Sequence, residues 1–202
     1  MRVFIICTGR TGSHNMAKAC SFIKNYTSGH ETRIGMTASK KLNYPDNHIE
    51  ADNRLSWLLG SLDKRFERDD VLYVHLKRSP QLVAESYNRR WYLRYSIVRA
   101  FSSGILMKSS RQDNLESCHD YVEVVNDNIE CFLKSKDNKL TINIENIEKD
   151  FKTFWTTINA KGDLNGALKC LSKPSNKSRP KYEINLSKII YGFRVLIDYV
   201  WR

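Results

Sequence analysis

Val3, Phe4, Ile5 and Ile6 form an unbroken apolar run that stops at a polar loop, Thr8-Gly9-Arg10-Thr11-Gly12-Ser13. A continuous run of this kind is the pattern of a strand buried on both faces inside a parallel sheet, and it is expected to end near Cys7. From His14 to Lys24 the apolar residues Met16, Ala17, Cys20 and Ile23 recur at helical spacing. A strand, a loop with two glycines and a helix gather backbone N–H groups and a positive helix end around one point, which favours a bound phosphate. Turns of this sort also occur in α/β domains that bind nothing, so the local pattern leaves a structural reading open beside the anion-binding one.

In an ATP- or GTP-binding loop a lysine and a Ser/Thr follow the second glycine. Here Ser13 and His14 stand there, and the cation, Arg10, lies inside the loop. That spacing counts against a nucleotide or nucleoside kinase, which is kept as an alternative.

The 202 residues carry no Pro/Gly/Ser-rich linker, and the expectation is one domain over 1–202. The formal net charge of +11 points to an anionic partner. Five cysteines, at 7, 20, 118, 131 and 170, are widely spaced with no C-x-x-C pair. Neither a zinc site nor a disulfide scaffold is therefore expected. No metal is expected either. No stretch reaches the roughly 18 apolar residues that span a bilayer, and the expected location is the cytoplasm.

Further along, Glu31–Met36 is expected as a short second strand, and 37–47 as an irregular excursion containing Pro45. From Ala51, Leu55, Leu58, Leu59, Leu62 and Phe66 mark a helix. Val71-Leu72-Tyr73-Val74-His75-Leu76 is a second buried-strand candidate. Lys77-Arg78 follow it, then Ser79 and Pro80 as the N-cap and first residue of a helix to about Arg94. An apolar pattern lies near 97–107, a helix at Asn114–Lys134, and a strand at Leu140–Ile144. Two short helices at Asp150–Ile158 and Asp163–Leu171 hinge at Gly162, and a closing helix is expected at Leu186–Trp201. Such alternation predicts an α/β protein: three α/β/α layers, P-loop-like, around a central parallel sheet. Two strands of that sheet would deliver their basic loops to its C-terminal edge, where open α/β folds bind ligands.

Taken together, Thr8–Ser13, Arg78 and Ser86 eight residues later resemble the sulfotransferase family that uses 3'-phosphoadenosine-5'-phosphosulfate. The segments 48–66 and 144–164 resemble a compact bacterial-type branch of it. The resemblance implies a sulfotransferase transferring a sulfuryl group from that nucleotide to a hydroxyl or amine acceptor, leaving 3',5'-ADP. It implies the backbone amides of Thr11, Gly12, Ser13 and His14 on the 5'-phosphosulfate, with the Ser13 hydroxyl and Arg10 on its oxygens. Arg78 and Ser86 would hold the 3'-phosphate, as two separated anionic groups require. Asn15 is counted with the nucleotide-binding residues, although the better-known cytosolic enzymes carry there a tryptophan that stacks on adenine. Their C-terminal Arg-Lys-Gly-x-x-Gly segment is also absent, and Lys177 or Arg179 would have to substitute. Trp57, Trp91 and Tyr87 are open to either core packing or base stacking.

Transfer also needs a base near the acceptor. Histidine as a residue type suits that task, which makes His48 a candidate, whereas Glu50 would need its pKa raised by burial; Glu50 could equally serve a helix start. A third reading is a nucleic-acid-binding module, from the interleaved arginines and aromatics of Asn88–Arg99.

Overall fold

The computed structural model describes residues 1–67, 70–93, 95–108 and 114–173. Five strands form one sheet: β1 (Arg2–Ile6), β2 (Thr27–His30), β3 (His48–Ala51), β4 (Val71–Lys77) and β5 (Lys139–Asn143). Their order is β2-β3-β1-β4-β5, with every neighbouring pair parallel. The helices are α1 (Ser13–Cys20), α2 (Leu59–Phe66), α3 (Pro80–Asn88), α4 (Ile97–Ala100), α5 (Asn114–Lys134), α6 (Ile147–Thr157) and α7 (Leu164–Leu171). The described chain divides into two compact units, one holding residues 1–79 and 124–173 and the other 80–123.

The first unit is the three-layer α/β architecture that the alternating pattern predicts. Val3, Ile5 and Cys7 project to one face and pack with Met16 and Ala19 of α1, Phe151 and Phe154 of α6, and Ala167 of α7. Phe4 projects to the other, its ring 5.3 Å from Tyr44 and 5.1 Å from Phe66 at the end of α2. On that face Tyr73 meets Phe132 of α5 edge-on at 5.0 Å. The residues from Val3 to Cys7 have no exposed surface, so β1 is the centre of the core. In the second unit Tyr121 takes the rings of Tyr87 and Phe101 edge-on, at 5.2 and 5.6 Å. Tyr87 is therefore a packing residue there.

Several boundaries differ from the sequence expectation for identifiable reasons. The first helix stops at Cys20, because Ile23 leaves it to form an antiparallel bridge with Gly162. The second strand is not Glu31–Met36 but Thr27–His30; Glu31 turns into the left-handed region at φ 53° and ends it. His48–Ala51, read as the approach to a helix, is a strand, and Asp52 then opens a 3-10 turn at Asn53–Trp57 by accepting from the Arg54 N–H at 2.8 Å. The long helix Asn114–Lys134 stands as expected. Lys177, Arg179 and the expected helix Leu186–Trp201 lie outside the described residues. Among the described residues no helix is long and apolar enough to cross a membrane.

Gly162 ties the segment between α6 and α7 to the turn that follows α1. Its φ is 154°, and a Cβ there would meet the Phe22 carbonyl oxygen at 2.1 Å. Phe22 O also accepts from the Asp163 N–H at 3.1 Å, so the backbone cannot retreat freely. Gly162→Ala is expected to destabilise the protein by at least ~2 kcal/mol, read as a lower urea midpoint at unchanged slope; an unchanged midpoint would refute this account of the turn.

Candidate functional site

Parallel strands present their loops at one edge, and β1 opens onto it between β3 and β4. The chain turns sharply there: Gly9, Arg10 and Gly12 have φ of 78°, 60° and 84°. Left-handed residues within a tight turn let neighbouring N–H groups converge, the concavity that suits an anion. Arg10 is the costly member, since a side chain in this conformation is disfavoured by ~1–2 kcal/mol. The Arg78 Nη1 donates to the Arg10 carbonyl at 3.0 Å and holds it there. Ser56 Oγ donates to the Cys7 carbonyl at 2.9 Å, and Thr8 Oγ1 to that of Gly9 at 3.0 Å.

Gly12 is the N-cap of α1, its carbonyl accepting from the Met16 N–H at 3.0 Å. A Cβ at Gly12 would lie 3.3 Å from Ile144 Cδ1, so both conformation and space favour glycine. Among the described residues no side chain caps this helix end, and no carboxylate stands in its first turn, which leaves the positive end of α1 suited to an anion. Among the described residues the Thr11 hydroxyl, in a residue only 2% exposed, has no oxygen or nitrogen partner. Burial pushes the neighbouring Cys7 thiol up to about 11, against the smaller opposing effects of the Thr11 hydroxyl and Gly9 N–H. Cys7 therefore serves as a buried apolar side chain rather than a thiolate nucleophile.

Ser13 Oγ lies 3.0 Å from Nε2 of His30, the last residue of β2, and the His14 ring stands edge-on to His30 at 5.3 Å. Asn15 Nδ2 donates to the Lys173 carbonyl at 3.1 Å, which ties the helix start to the end of the described chain. Arg78, half-buried just past β4, is thus brought to the loop that contains Arg10. Beside it the Ser79 N–H donates to Glu145 Oε1 at 2.9 Å. Arg78 belongs to the first unit and Ser86, buried on α3, to the second.

The structure does not bring His48 and Glu50 to the loop. Val3 pairs with Ile49 and Phe4 with Glu50, so His48 stands level with Arg2. At ~3.3 Å per residue that is about 16 Å along the strand from Cys7. Both side chains share the face of Phe4 and Tyr44, and the Tyr44 ring stacks on His48 at 5.8 Å. His48 has both ring nitrogens engaged, Nδ1 at 2.8 Å from Thr27 Oγ1 and Nε2 at 2.9 Å from Glu50 Oε2. Glu50 also accepts from the Thr32 N–H at 2.8 Å and from Thr32 Oγ1 at 2.7 Å. Burial raises its pKa, but these hydrogen bonds outweigh burial and hold it below the ordinary value, opposite to what a glutamate base needs.

Gly29 completes this cluster, since a Cβ there would lie 2.9 Å from Glu50 Oε2. The signal for it was in the sequence: His-Ile-Glu-Ala alternates polar and apolar residues with the period of a strand. Nothing in Thr-Ser-Gly-His marks His30 as a neighbour of the loop; only the sheet order places it there.

No family model and no curated protein matches this sequence. Among solved structures, a sulfotransferase domain from the curacin biosynthetic pathway superposes with a TM-score of 0.61. The match covers 92% of this chain and 81% of that one at 13% identity, a likeness of fold.

The lowered Glu50 pKa carries a pH dependence. The unfolded chain binds that proton more readily than the folded one, so the stabilisation is complete above the unfolded pKa, near 4.3, and is lost as pH falls through the folded value. Glu50→Gln should therefore destabilise at pH 7 by about 1–3 kcal/mol, the gap to wild type narrowing toward pH 3. Denaturant titrations at the two pH values test this; a gap that does not narrow contradicts it.

Proposed function

We propose that the chain is a sulfotransferase whose sulfuryl donor is 3'-phosphoadenosine-5'-phosphosulfate, acting as one domain over residues 1–202. The observation that carries this reading is the left-handed turn Gly9–Gly12 at the edge of the sheet, with an uncapped helix after it and Arg78 bonded across it. The likeness in fold to a sulfotransferase domain supports it. In this reading the N–H groups of Thr11, Gly12, Ser13 and His14 bind the 5'-phosphosulfate, and the Arg10 guanidinium pairs with its oxygens. The Thr11 hydroxyl, which has no oxygen or nitrogen partner among the described residues, supplies one more donor. The remaining N–H groups of the Arg78 fork take the 3'-phosphate.

During transfer the bond from sulfur to the bridging phosphate oxygen breaks, and a bond from sulfur to the acceptor oxygen or nitrogen forms. The bond pair stays on the departing phosphate, and the acceptor's proton leaves to a base or to water. The loop amides, fixed by the backbone turn before the reaction begins, and the Arg10 guanidinium stabilise the oxygens that gather charge. His48 and Glu50, which hold each other away from the loop, have no part in this step; their role is to fix β3 against the segment after β2.

Calorimetry with 3',5'-ADP tests the reading. One saturable site is expected, with Arg10→Ala and Arg78→Ala each weakening binding by at least about tenfold. Folded wild-type protein that takes up no 3',5'-ADP would overturn it, as would full affinity in the Arg78 variant.

A further inference from the structure

α1 leaves β1 and crosses toward β2, where Ser28 Oγ donates to the Ala17 carbonyl at 3.3 Å. That crossing carries the first residue of the helix over the end of β2, and Ser13 Oγ comes within 3.0 Å of His30 Nε2. The partner is held from both directions. The N–H of Glu31, next in the chain, donates to the Ala51 carbonyl at 3.2 Å, and His14 stands edge-on to the imidazole.

The chemistry of the pair follows from proton count. A serine hydroxyl has one proton to donate, either to the imidazole or to an anion in the loop. If His30 Nε2 is unprotonated, Ser13 donates to it and turns only lone pairs toward the anion, which repels it. If Nε2 carries the proton, His30 donates to Ser13 Oγ and the hydroxyl proton is released toward the anion.

We propose that His30 is a positioning residue for the anion site: through an Nε2–H donor it sets the Ser13 hydroxyl as a donor to the group held by the loop. The proposal rests on the phosphosulfate reading of that loop. His30 acts through Ser13, and anion binding in turn selects the Nε2-protonated imidazole, or the imidazolium, over the other neutral tautomer.

The test combines a substitution cycle with a spectroscopic signature of the wild-type protein. In calorimetric titrations with 3',5'-ADP, Ser13→Ala and His30→Ala are each expected to weaken binding by roughly tenfold. The double variant should lose little beyond the weaker single one, because the two act as a unit. His30→Gln, which keeps an N–H donor, should recover most of the affinity. Nitrogen-15 imidazole spectra of the wild type should show the His30 Nε2 protonated once 3',5'-ADP is bound; this measurement needs no substitution to fold. Losses that multiply in the double variant, wild-type affinity in His30→Ala, or a bound state with Nε2 unprotonated would each overturn the proposal while leaving the phosphosulfate reading in place. Folded wild-type protein that binds no 3',5'-ADP overturns both.

Discussion

The pairing of β1 on both of its edges is the constraint from which the rest of the structure follows. Arg2 to Ile6 are in register with β4, and Val3 to Ile5 with β3, all parallel. A parallel strand cannot return by a hairpin, so the chain must leave over a face of the sheet. It does so through α1, and the helix start therefore lies directly at the end of the most deeply buried strand. The ladder's last polar groups are closed from the β3 side: Asp52 N–H donates to the Ile5 carbonyl at 3.2 Å, and Ser56 takes that of Cys7. With those carbonyls satisfied, what the turn offers is mainly donors. An anion site follows from the topology before any side chain is chosen.

Charge is distributed to the same end. The buried carboxylates near the sheet have partners. Glu50 accepts from His48 and Thr32, and Asp52 pairs with Arg54, whose Nε donates to Oδ1 at 2.9 Å. Their negative charge is largely answered locally, in geometries that do not involve the loop. Arg78, by contrast, reaches across to the Arg10 carbonyl of the turn. In a chain with a net charge of +11, this places a guanidinium where the helix end and the turned N–H groups already point.

How much of this the sequence made legible depends on whether the information was local. Val3–Ile6 and Val71–Leu76 were readable as buried strands because a continuous apolar run needs no knowledge of its partners. The Asn114–Lys134 helix was readable from its long periodic stripe. β2 was not, because Thr-Ser-Gly-His carries no hydrophobic signal and is a strand only through its pairing with β3. His48 and Glu50 suited a base by residue type, but register places them below the loop and commits them to each other. His30 was invisible for the complementary reason: it lies sixteen positions after His14, and the crossing of α1 over β2 makes them neighbours.

Arg78 shows how the site is organised before a ligand arrives. Without its bond to the Arg10 carbonyl, a non-glycine residue in the left-handed region would tend to relax, and the N–H groups on either side would lose their common direction. Holding that carbonyl transfers the strain to a side chain anchored at the end of a fully paired strand, whose backbone has little freedom of its own. The ordering cost of the cradle is thereby met during folding rather than on binding, which leaves more of the interaction with an anion to appear as affinity. One guanidinium both shapes the turn and adds to its charge, so the effect of removing it divides between lost order and lost attraction. Lysine at position 78 would keep the charge but not the planar fork, so its residual affinity measures how much of Arg78's contribution is charge alone.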